Sequence, residues 1–221
     1  MFLITLDVDW APDFVLDLVF AEIAARSIRA TVFATHSSPA IQNVHSCFDV
    51  GIHPNITNLC EAEQRILKLK ETFPTACCLR NHSLTTSSRL LSVYSRCGIS
   101  VTSNYAMYGM SGLSPVALPH GITEYPIWYM DDLHAMRWAQ TDAQQLLDDL
   151  IGTDGLKVLA FHPIHIYINS CGSAAYESAK HGLDDREKLA SLVNDGPGIR
   201  TFFEDVLALA EVKKRAQTFP A

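Results

Sequence analysis

Asp7 and Asp9 stand one residue apart at the end of an apolar run, in Phe2-Leu3-Ile4-Thr5-Leu6-Asp7-Val8-Asp9-Trp10. Successive strand side chains point to opposite faces, so the two carboxylates share a face if the strand continues that far. One of them can then bind a metal while the other works as a base. Alone, the pair also fits a solvated loop or a helix cap. Three histidine-bearing segments, each closing a short apolar run, give it company: Val50-Gly51-Ile52-His53-Pro54-Asn55, Cys78-Leu79-Arg80-Asn81-His82-Ser83 and Val158-Leu159-Ala160-Phe161-His162-Pro163-Ile164-His165. In a barrel of parallel strands the C-terminal strand ends converge on one mouth, which would bring aspartate and histidine to one site.

The elements needed to position these residues alternate along the chain. Strands are expected over residues 2–8, 30–34, 47–52, 75–79, from 99 to 102 and over 156–161. Helices are expected over 12–27 with Pro12 at the start, 59–72 capped by Asn58, 85–97 ending at Gly98, 141–151, near 174–192 and over 200–213. Residues 104–136 and 163–172 read as loops, the first long enough to be functional. This alternation predicts a single α/β domain over 1–221, a distorted (β/α) barrel of about seven parallel strands.

Composition narrows the setting. With 221 residues, 48% of them hydrophobic, the chain can bury a substantial core. A net charge of -7, with basic residues scattered apart from Lys213-Lys214-Arg215, argues against a nucleic-acid footprint. That trio suits the negative end of the last helix. Cys47, Cys60, Cys77, Cys78, Cys97 and Cys171 form no CxxC pair and fit a reduced compartment. The apolar stretch from Phe14 to Ala25 is broken by Asp17 and Glu22 and is too short to span a bilayer, and the opening residues lack the pattern of a signal peptide. A cytoplasmic protein without membrane insertion is therefore expected.

In motif order the chain resembles the NodB-homology polysaccharide deacetylases of carbohydrate esterase family 4. Their first motif carries a base aspartate and then a metal-binding aspartate, which Asp7 and Asp9 resemble. Their second motif supplies two histidines; here His53 is kept and Thr57 stands where the second belongs. The YdjC-type sugar deacetylases also have one histidine in this motif and take another from a later segment, and that similarity makes His82 the substitute ligand. Arg80 resembles the arginine that pairs with the base, and His162 the histidine that protonates the leaving group. Asp131-Asp132 after Trp128 loosely resembles the fourth motif.

The resemblance implies a metal-dependent hydrolase that removes the acetyl group from an N-acetylated sugar. A divalent metal on Asp9, His53 and His82 lowers the pKa of bound water towards ~7. Zinc is the expected ion, with cobalt or nickel as alternatives. Asp7 takes the water proton with Arg80 orienting it, and His162, or His165 beside it, protonates the amine. Trp10, Trp128, Asp132 and His120 are expected to contact substrate, His120 doubling as a reserve ligand. His36, His45, His134 and His181 read as loop or surface residues. Another amide-cleaving metallohydrolase on the same barrel, or a non-catalytic carbohydrate-binding relative, remains open from sequence.

Overall fold

The structure, a computed structural model, describes residues 2–213 and 216–220. The expectation for Lys213-Lys214-Arg215 falls on side chains outside the described residues. The chain runs through β1 (Phe2–Asp7), α1 (Asp13–Ala25), β2 (Ala30–Ala34), α2 (Pro39–Gln42), β3 (Phe48–Ile52), α3 (Ala62–Thr72), β4 (Cys78–Leu79), α4 (Ser88–Arg96) and β5 (Val101–Thr102). There follow β6 (Val116–Leu118), β7 (Ile122–Glu124), β8 (Ile127–Met130), α5 (Asp131–Met136), α6 (Ala143–Gly152) and β9 (Lys157–Phe161). It closes with α7 (Pro163–Tyr167), α8 (Ser173–Ala179), α9 (Arg186–Ser191), α10 (Ile199–Lys213) and β10 (Ala216–Gln217).

The central strands pair in parallel in the order β5-β4-β3-β2-β1-β9-β8. Beyond β5 the backbone stays extended beside β8: Ile127 N–H donates to Tyr105 at 2.8 Å and Met107 N–H to Ile127 at 2.7 Å. These bonds close the seven strands into the expected distorted barrel. Several features differ from the expectation: the helix expected near 174–192 is split into α8 and α9, and α2 and β10 are additional. Residues 104–136 are not a loop but carry β7 parallel to β5, β6 antiparallel to β7, and then β8 and α5. The strand pattern was masked there by short elements punctuated by glycine and proline, since no run exceeds four residues. The stretch 163–172 likewise opens with α7, whose first residue is a proline pre-set for a helix start.

Odd-numbered β1 residues face the barrel interior and even-numbered ones the helices, as the two apolar clusters divide. Leu3, Phe33, Cys78, Val101, Val158 and Ala160 fill the interior. Gly51 makes that filling possible. A Cβ there would lie 2.6 Å from Cys78 Sγ and 2.9 Å from Phe33, closer than real side chains approach. Leu6, Val15, Val19, Ile23, Leu207 and their neighbours form the outer core between strands and helices, each burial worth about 1.5–3 kcal/mol. All six cysteines are free thiols. Among the described residues no helix is long and apolar enough to cross a membrane.

Candidate metal centre

The site assembles where five strands end. At β1 the strand stops with Asp7, Val8 N–H still donating to Phe33 at 3.2 Å, and Asp9 turns with φ 44°. Thus the two acids reach one mouth through a turn rather than through strand alternation. A non-glycine residue in this left-handed region costs on the order of 1–2 kcal/mol, and here the Asp9 carbonyl is tethered by the Thr35 hydroxyl. Ser83 and Leu84, with φ 57° and 52°, hold the same conformation on the opposite wall. Such conformations concentrate where surrounding contacts over-determine the chain.

His53 and His82 become neighbours because the β3–β4 ladder continues past both strands: Arg80 N–H donates to Ile52 and His82 N–H to Pro54, each at 3.1 Å. The His53 ring, 2% exposed, uses Nδ1 to donate to the Arg80 carbonyl at 2.7 Å. That bond occupies Nδ1 and leaves Nε2 facing Asp9 Oδ1 at 3.3 Å. His82 Nδ1 lies 3.2 Å from the same oxygen. One carboxylate oxygen and two imidazole nitrogens, all within 4.8 Å of one another, are a donor set that fits a divalent ion. Burial pushes the Asp9 carboxyl up, but the hydrogen bonds from His53 and His82 and the charge of His162 outweigh it and hold it far below the carboxylate range. Thr57 is exposed and does not line the cavity that Asp9, His53 and His82 share.

Beneath the metal donors, Arg80 is 0% exposed and saturated. Its Nη1 donates to Asp7 Oδ1 and Thr5 Oγ1 at 2.8 Å, while Nε and Nη2 donate to the Ser103 carbonyl and hydroxyl at 3.0 and 2.9 Å. A buried guanidinium is tolerated only with this degree of pairing. It rests 4.5 Å above the Phe33 ring. Asp7, 2% exposed, therefore lies at the cavity floor between Arg80 and the metal donors.

Across the mouth, β8 delivers Asp131 beside β9, where Met130 pairs with Ala160. The Asp131 carboxylate accepts from His162 Nδ1 at 2.6 Å and from the His162 backbone N–H at 2.6 Å, which turns Nε2 towards Asp9 Oδ2 at 3.9 Å. Burial opposes the charge of His162, yet the Asp131 carboxylate raises its pKa well above the ordinary imidazole value. His165 is buried behind it, its Nδ1 on Ser170 Oγ at 2.8 Å, and burial pulls it down to about 4. Tyr176 covers the His165 ring at 4.7 Å.

Asp7, Asp9, His53, His82, His162 and His165 line a cavity of about 320 Å³, with Asp132 and Leu133 on its wall. Burial raises the Asp132 carboxyl. Other expected contacts are placed elsewhere. Trp128 is 1% exposed in the outer core beneath Lys157, because β8 turns that side chain towards the helices, so it does not face the cavity. His120 sits exposed on the β6–β7 connection, outside the cavity. Trp10 is exposed and meets His82 edge-on at 5.2 Å at the cavity's rim. His134, expected at the surface, is buried, accepts or donates through Nδ1 to the Tyr129 hydroxyl at 2.9 Å, and stacks on Trp138. Sequence reasoning passed over Asp131 in favour of Asp132, although an acid directly after the apolar run Ile127–Met130 repeats the signal of Asp7. Asn81 and Tyr176 carried no such signal.

A family profile described as WbmS-like polysaccharide deacetylase matches residues 4–180. Among solved structures, a protein assigned as a polysaccharide deacetylase involved in O-antigen biosynthesis, from Bordetella bronchiseptica, is 28% identical over 94% of this chain and 90% of its own, with a TM-score of 0.86. Two others share the fold alone. One, from Mycobacterium smegmatis and assigned as a polysaccharide deacetylase, has 13% identity, TM-score 0.54 and coverage of 100% and 94%. The other, a family 4 carbohydrate esterase from Streptomyces lividans in complex with acetate, has 10% identity, TM-score 0.51 and coverage of 99% and 97%. No curated protein matches the chain.

Proposed function

The chain belongs to the WbmS-like family of polysaccharide deacetylases, a metal-dependent carbohydrate deacetylase by family and by site, and on that premise we propose that it hydrolyses the acetamido group of an N-acetylated sugar in a surface-polysaccharide precursor, in the cytoplasm. The observation that carries this reading is the convergence on one cavity of the Asp9, His53 and His82 donors, the Asp7–Arg80 pair and the Asp131–His162 pair.

Each residue's part follows from its contacts. Zinc, or cobalt or nickel, held by Asp9, His53 and His82 would supply an activated water and polarise the acetyl carbonyl. Asp7, oriented by Arg80, accepts the water proton at its free carboxylate oxygen. His162 presents Nε2 to the cavity, with Asp131 holding the ring, and gives a proton to the departing amine nitrogen. His165, neutral and bonded to Ser170, positions His162 rather than donating to the leaving group. Asp132 and Trp10 flank the space left for the sugar. The relative's link to O-antigen biosynthesis supports the precursor substrate. Acetate release from N-acetylated sugars by the metal-loaded protein tests the reading. Absence of release from every acetamido sugar, with zinc, cobalt or nickel bound, would overturn it.

A further inference from the structure

A second groove of about 390 Å³ adjoins the metal cavity and shares His53 with it. Its chemistry is the opposite of its neighbour's. The metal cavity is walled by Asp7, Asp9 and Asp132, whereas the groove has Arg65, Lys68 and His36 on its lining and no carboxylate. In a chain of net charge -7 that segregation calls for a cause.

The cations are aimed by helix geometry. Arg65, Lys68, Leu69 and Thr72 follow the i, i+3, i+4, i+7 spacing of one helical face, so α3 turns this stripe to the groove and leaves Glu63 and Glu71 off its lining. Arg65 is engaged by Glu61, at 2.7 Å from Nη2 and 3.0 Å from Nε. Lys68 has no ion pair among the described residues. On the facing wall the Thr35 hydroxyl spends its one proton on the Asp9 carbonyl. His36 Nδ1, 2.8 Å from that hydroxyl oxygen, must then be the donor between them. Trp10, 49% exposed, lines the groove and meets His82 of the metal cavity edge-on, so its ring stands between the two.

Resting on the deacetylase reading, we propose that this groove is a second substrate subsite that takes an oxyanion, phosphate or carboxylate, carried by the acetylated sugar or its neighbour. Lys68 is its charge partner and Trp10 the platform between the subsites. A point charge on a flexible stem suits either anion, so the source is left to the experiment.

Calorimetric titration of the metal-loaded and metal-free protein with N-acetylglucosamine 1-phosphate, N-acetylglucosaminuronate and N-acetylglucosamine tests the proposal. The expected result is that one anionic sugar binds about tenfold or more tighter than the neutral one. Lys68→Glu should erase the preference, Lys68→Arg should keep it, and thermal midpoints should be unchanged. Which anion gains identifies the source. Equal affinity for all three sugars, no binding of any, or a preference that survives Lys68→Glu would overturn the proposal; the last result would place the anion on the metal instead. Lys68-dependent binding without acetate release would leave the subsite standing and sink the deacetylase reading.

Discussion

In the apolar interior of the barrel, below the mouth, Phe219 packs against Phe33 and Tyr125, with ring centroids 5.8 and 5.1 Å apart. At the C-terminal end the same strands deliver Asp7, Arg80, Asp9, His53 and His162, with left-handed residues at Asp9, Ser83 and Leu84. Thr5 marks the change, its hydroxyl donating to Leu159 at 2.9 Å and accepting from Arg80. The floor is held by non-directional burial, which tolerates small shifts of shape. The mouth is held by paired charges and directed hydrogen bonds, where removal of one partner strands another. Stability and chemistry are thereby assigned to adjacent layers of one set of strands, the apolar interior and the C-terminal mouth, which meet where Arg80 rests on Phe33.

The sharpest way to test that division is at the metal. Asp9→Ala should abolish metal binding and turnover together while the apo-protein's unfolding midpoint changes little, as read by metal analysis and urea unfolding; Asp7→Asn should keep the metal and lose most turnover. Equal metal loss in both would mean that the acids share the ligand role.

Arg80→Met should cost both properties, because it strands the buried Asp7 carboxylate: about 3–5 kcal/mol of stability and nearly all activity. Adding Asp7→Asn should restore part of the stability and none of the rate. If the double variant unfolds as readily as the single one, the Asp7 charge is not what the guanidinium compensates.

Phe219→Ala, in the apolar interior, should remove about 3 kcal/mol of stability through loss of packing and leave metal affinity and turnover unchanged below the new midpoint. A matching fall in metal affinity would show that floor and mouth are coupled and break the comparison. The smallest of these effects belongs to His162→Ala, a rate loss of ~10²-fold with metal retained, and His165→Ala should lose less. An inactive His165→Ala beside an active His162→Ala would reverse their roles.

How much of this was legible in the sequence depended on whether a residue's place was set by the end of its own strand. Asp7, Asp9, His53, Arg80, His82 and His162 each close an apolar run, and in parallel strands that local pattern is enough to send them to one end. The Thr57 substitution and His82 addition could likewise be read in place. Trp128 and His134 could not. Whether an aromatic inside a four-residue strand faces cavity or helices is set by strand register, and β8 has a bulge between Ile127 and Tyr129 against β9.

The sequence by itself determined the strand–helix alternation, the barrel class and the identities of the groups at its mouth, because periodicity and strand-end position are local properties of the chain. Only the tertiary structure decided which acid of Asp131-Asp132 grips His162, which histidine nitrogen faces Asp9, and which way Trp128 turns. It also decided that a cationic face of α3 lies beside an acidic cavity. Each of these depends on the register and crossing of elements distant in sequence, where a shift of one residue sends a side chain to the other face.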